Sequence, residues 1–164
     1  WWPEVANSKE LPQTGFVVYD KSYTRPIYAM AKISQKEMDR WLPRKTQIVL
    51  VEMFAAVQLI ASCGDKMRKK KELLFVDSEA AQGALIKGGS SKADISELGL
   101  VFWRLVQEYE ILIYIDRVPT DGNISDGCSR GSVELAERLG WHRVQIPDFM
   151  DWAFAWLGAW EITT

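Results

Sequence analysis

The chain's 164 residues suit one domain with a hydrophobic core, and its formal net charge of -2 excludes an overall cationic field, leaving nucleic-acid binding to a local patch. Two cysteines, Cys63 and Cys128, make no disulfide framework and read as reduced thiols of an intracellular protein. No apolar run reads as long enough to span a bilayer and no signal-peptide pattern is present, while a first residue of Trp rather than Met suits a fragment or a trimmed chain.

Residues 1–13 carry no clear period, and Pro3 and Pro12 interrupt them. Residues 14–19 (TGFVVY) predict a strand and residues 25–33 its hairpin partner, joined by Lys21-Ser22-Tyr23-Thr24. A polar stretch with Trp41 and Pro43 leads to a strong helix over roughly 46–62, with Thr46 as N-cap and Gly64 as stop. Ile48, Ala55, Ala56 and Leu59 recur at helical spacing and predict one buried face, on which Glu52 also falls. An unpaired buried carboxylate is costly. Glu52 therefore either reaches water at the rim of the face or meets a cation, a metal or a protonating environment.

The basic run Lys66-Met67-Arg68-Lys69-Lys70-Lys71 reads as a solvated turn or as a source of phosphate contacts. It feeds a short apolar strand over 73–78 (LLFVDS), which places it near the amino edge of the sheet. That strand ends on Asp77, at the carboxyl edge where sites of α/β folds gather, and the helix of residues 79–86 starts at once. Residues 87–92 (KGGSSK) link it to a second helix over 93–110 and lack P-loop spacing. A strand over 111–118 (ILIYIDRV) follows, turned by Pro119-Thr120-Asp121-Gly122. Residues 123–126 (NISD) then open a helix that runs through Leu135 and Leu139 to Gly140, with Ser125 as its cap. Asp126 suits the helix dipole there, or else points back to the sheet edge near Asp77. In the tail, Phe149, Trp152, Ala153, Trp156, Leu157 and Trp160 form a helical aromatic stripe that covers the domain's own core or docks a neighbouring domain. The division is thus a domain over residues 1–147 and an aromatic helix or tail over 148–164.

This order of elements resembles the ribonuclease H-like fold: an α/β domain with a mixed central sheet flanked by helices. Three stretches sharpen the resemblance to ribonuclease H domains of retroelement, reverse-transcriptase-type polyproteins. Residues 75–81 (FVDSEAA) with 84–88 (ALIKG) are similar to the family's "DS-x-A-A…A-L-I-K-G". Residues 117–131 (RVPTDGNISDGCSRG) are similar to its "V-P-S-x-x-N-x-A-D-x-x-S-R-G", and residues 47–55 (QIVLVEMFA) to its "I-x-x-x-E-L-x-A". The similarity covers roughly residues 14–140.

The resemblance implies a carboxylate cluster holding two Mg²⁺ ions, one activating water and the other stabilising the leaving oxygen of a phosphodiester. Glu52, Asp77 and Asp126 match the second, third and fourth of the family's acids, as catalytic residues and metal ligands. Ser78, Asn123 and Arg130, with Lys69 and Lys70, are the expected nucleic-acid contacts, and an RNA–DNA hybrid the expected substrate. An adjacent reverse transcriptase domain is an expected partner; a membrane is not. The family's first acid has no counterpart, since Ala6 or, one residue on, Asn7 takes its place, and Glu4 and Asp20 lie nearby without a geometric reason to replace it. The expectation is an impaired RNA–DNA hybrid endonuclease. The alternatives are a non-catalytic structural or nucleic-acid-binding module of the same fold, and an unrelated α/β domain with chance acids.

Overall fold

The computed structural model describes residues 11–146. The division at residue 147 and the aromatic stripe beyond it lie outside the described residues. The chain is a mixed α/β protein.

Strands β1 (Gln13–Val18) and β2 (Ile27–Lys32) form an antiparallel hairpin, from Gln13 opposite Lys32 to Val18 opposite Ile27. A short helix α1 (Gln35–Met38) follows, capped by Ser34, whose hydroxyl accepts from the Glu37 N–H at 3.1 Å. The main helix α2 (Ile48–Met67) begins two residues later than its pattern predicts and runs past Gly64. Gly64 does not end it because its bare Cα faces the Tyr109 ring, where any Cβ would collide. Ile48 also departs from expectation: it is exposed, while Ala56 and Leu59 are buried. At 20 residues α2 is long and apolar enough to cross a membrane, contrary to the sequence reading; here it is half buried as the core helix.

Next come β3 (Lys71–Val76), α3 (Glu79–Lys87), α4 (Ala93–Glu108) and β4 (Leu112–Arg117), with β3 and β4 paired in parallel. A 3-10 turn (Thr120–Gly122) leads to α5 (Asp126–Ser129), α6 (Glu134–Arg138) and β5 (His142–Arg143), which pairs in parallel with β2. The single helix expected from residue 123 to Gly140 is thus two short ones. Gly131, with φ of +81°, turns the chain between them into a region that suits glycine.

The core lies between α2, α4 and the inner strand faces: Met53, Val57 and Ile60 of α2 meet Phe16, Val18, Leu74 and Val76, with Phe102 and Leu105 of α4. A smaller cluster of Tyr28, Cys128, Ala136 and Trp141 seats α5 and α6 on the other face of β1 and β2. Both cysteines are buried free thiols.

The expected single central sheet is two sheets among the described residues, β1-β2-β5 and β3-β4. Their facing edges, β1 and β3, line a common cavity of about 790 Å³ floored by α2.

Candidate acidic site at the end of β3

The site begins where β3 stops. Ser78 is extended at φ -104° and ψ 124°, and its hydroxyl accepts from the Ala81 N–H at 3.2 Å, which starts α3 at once. Asp77 is left at the carboxyl end of the strand, against the large cavity. The helical rise of α2 brings Glu52 beneath it, so that the two carboxyl groups share a hydrogen-bonding contact while the Ser78 N–H donates to Glu52.

Burial, followed by the bond to Asp77 and its charge, pushes the Glu52 carboxyl up to about 8; the Ser78 N–H opposes this only in part. At about 8, the Glu52 carboxyl keeps its proton near neutral pH beside Asp77. Glu52 Oε2 is buried without a hydrogen-bond partner. A paired set of hard oxygens with one lone acceptor to spare fits a divalent cation such as Mg²⁺, and Glu52 and Asp77 are the residues that would hold it.

Asn123 completes the strand end. Its Nδ2 donates to Asp77 Oδ2 at 3.1 Å, and its Oδ1 accepts from Ser125 N at 3.0 Å and Ser125 Oγ at 2.7 Å. Ser125 therefore braces Asn123 and makes no side-chain cap for α5. Asp126 lines the same cavity, but its carboxylate is taken by Arg130 Nε, at 3.1 Å from Oδ1 and 3.0 Å from Oδ2. No group of three or more acid, His or Cys side chains able to hold a metal occurs among the described residues. Glu52 and Asp77 are brought together; Asp126 shares their cavity and pairs with Arg130, the residue that follows its helix.

The expected nucleic-acid contacts divide. Asn123 and Arg130 line the cavity, each bonded to an acid, while the Ser78 hydroxyl is committed to its cap. Lys69 and Lys70 precede β3 and are separated from Asp77 by the whole strand, about 20 Å. Lys70 Nζ pairs with Asp20 Oδ1 at 2.8 Å and also bonds the Ser22 hydroxyl. Lys69, at φ +60°, lies 3.8 Å from Glu110. Asp20 thus anchors the opposite end of β3 and does not replace the missing acid: burial raises its carboxyl, but the bonds from Lys70 and Ser22 bring the net far below the usual range. Glu4, Ala6 and Asn7 lie outside the described residues.

Sequence reasoning missed two features: the Arg130–Asp126 pair and the Asn123 brace. The first was visible as an acid and a base four apart. The second carried no signal, because its partners are 46 residues apart. Compared with family models, with curated proteins and with solved structures, the chain matches none.

Proposed function

We propose that the chain is a ribonuclease H-like, nucleic-acid-processing domain of a retroelement-type polyprotein, working inside the cell beside a reverse transcriptase domain. Its ancestral activity is two-metal hydrolysis of the RNA strand of an RNA–DNA hybrid, and in this chain that chemistry is impaired. The observation that carries this reading is the Glu52–Asp77 carboxyl contact at the end of β3, with Asn123 bonded to Asp77 and Asp126 on the same cavity wall. Mg²⁺, when bound, supplies water activation and charge neutralisation at the phosphate. Glu52 and Asp77 supply its charged oxygens, and Asn123 fixes the rotamer of Asp77.

The pairing of Asp126 with Arg130 favours a second reading, the same fold kept as a non-catalytic nucleic-acid-binding module. A cluster reduced to two converging acids binds one cation more readily than two.

Mg²⁺ titration followed by thermal shift, beside cleavage of a labelled RNA–DNA hybrid, tests both. The expected outcome is weak saturable Mg²⁺ binding that Asp77→Asn removes, with little cleavage. Robust Mg²⁺-dependent cleavage by the unaltered chain, lost in Asp77→Asn, discards the impaired and non-catalytic readings. A Mg²⁺ response unchanged by Asp77→Asn discards the metal site.

A further inference from the structure

Asp126 lines the same cavity as Glu52 and Asp77, yet no metal-holding group of three such side chains forms among the described residues. The backbone already brings it near. The Asp126 N–H donates to the Asn123 carbonyl at 3.1 Å, and Asn123 Nδ2 donates to Asp77 Oδ2 at 3.1 Å. One residue, Asn123, thus ties the main chain of Asp126 to the side chain of Asp77. The Asp126 carboxylate is bonded instead to Arg130.

That bond holds the guanidinium by one nitrogen. Both contacts come from Nε, at 3.1 Å to Oδ1 and 3.0 Å to Oδ2, and the terminal nitrogens have no partner among the described residues. The Arg130 side chain is 69 % exposed at the cavity wall. A guanidinium is a planar fork of donors, and two of them fit the oxygens of one phosphate at once. An exposed ion pair of this kind is worth up to about fivefold in an equilibrium constant. A backbone phosphate can therefore outcompete the carboxylate for Arg130.

Release needs no change in the fold. The Arg130 N–H donates to the Asp126 and Gly127 carbonyls, each at 3.1 Å, and holds the turn of α5 whether or not the two side chains meet. Side-chain rotation alone separates the pair. An acid freed in this way gains a reason to turn toward Asp77 only if a cation is present, because carboxylates crowded without one repel.

We propose that Arg130 gates Asp126: it occupies the carboxylate while the site is empty and passes to a backbone phosphate when nucleic acid binds, which frees Asp126 to join Glu52 and Asp77 around Mg²⁺. Nucleic acid and Mg²⁺ then bind cooperatively, each tightening the other by the same factor. The gate rests on the metal-site reading above and adds its regulation. Arg130 acts through Asp126, as a positioning residue.

Mg²⁺ titration of the full chain by thermal shift, without nucleic acid, separates the gate from the site. Arg130→Gln is expected to tighten Mg²⁺ binding by about three- to fivefold, the worth of the released pair. In an Asp126→Asn background the same change is expected to do nothing, since it releases no carboxylate. Anisotropy of a labelled RNA–DNA hybrid, in Mg²⁺ and in EDTA at matched ionic strength, reads the coupling. Mg²⁺ is expected to tighten hybrid binding by the unaltered chain, and to do so less in Arg130→Gln. Equal tightening of Mg²⁺ with and without the Asp126 carboxylate marks a plain charge effect and overturns the gate. So does an Arg130→Gln variant that binds Mg²⁺ no tighter than the unaltered chain, or a coupling that survives the change in full. A Mg²⁺ response that Asp77→Asn leaves in place sinks the metal site itself, and the gate with it.

Discussion

Glu52 has two uses at the residue scale: it lines the cavity from α2 and it contacts Asp77. Its carboxyl sits at about 8, against an ordinary value near 4.5, chiefly through burial. Between those values the folded chain keeps a proton that the unfolded chain has released. Stability from this group is therefore complete below pH 4.5, declines as pH rises toward 8, and is level above it. Glu52→Gln removes that decline and is expected to raise Tm relative to the unaltered chain at pH 8.5 without Mg²⁺, with little difference at pH 4.5; scanning calorimetry at the two pH values checks it. Added Mg²⁺ is expected to raise Tm of the unaltered chain more at pH 8.5 than at pH 4.5, and to leave Glu52→Gln nearly unmoved.

Two helical glycines separate packing from propensity at the scale of the element. Gly64 in α2 lies against the Tyr109 ring, so Gly64→Ala forces α2 and the end of α4 apart. A loss of about 1–3 kcal/mol is expected, read from urea unfolding. Gly83 in α3 has open space where a Cβ would stand. Gly83→Ala is expected to stabilise by roughly 0.5–1 kcal/mol in the same assay, since only the helix propensity changes. A Gly64→Ala variant as stabilised as Gly83→Ala would show that the α2–α4 contact is loose. The same logic explains why Gly64 misleads as a stop signal: its small size serves a neighbour 45 residues away in the chain.

At the scale of the molecule, the long connection from β2 to α2 is fastened to α4 through one ion pair. Arg44 forks onto both Asp94 oxygens at 2.7 and 2.8 Å, and the Leu42 N–H donates to the same carboxylate at 2.8 Å. Burial raises the Asp94 carboxyl, but the Arg44 fork and the backbone donors outweigh it and hold it below its ordinary range. The stabilisation this gives is present above pH 4 and lost on acidification through the lowered value. Asp94→Ala leaves Arg44 partly buried without its partner and is expected to cost about 3–5 kcal/mol, measured by denaturant unfolding at pH 7.

Much of the architecture was legible in the sequence because it is local. The strand of residues 14–19, its hairpin partner within 25–33, the apolar strand that ends on Asp77 and the helix that starts at once after it each arise from neighbours a few positions apart. The candidate acids Glu52, Asp77 and Asp126 were legible as residue types at strand and helix ends. Tertiary structure alone decided which of them meet, because a contact between Glu52 and Asp77 depends on how α2 lies under β3. It also decided that Asp126 bonds Arg130, that Lys70 is spent on Asp20, and that β1 and β3 face each other across a slot. Short-range periodicity sets which face of an element is apolar; only packing sets what that face, or an open strand edge, is laid against.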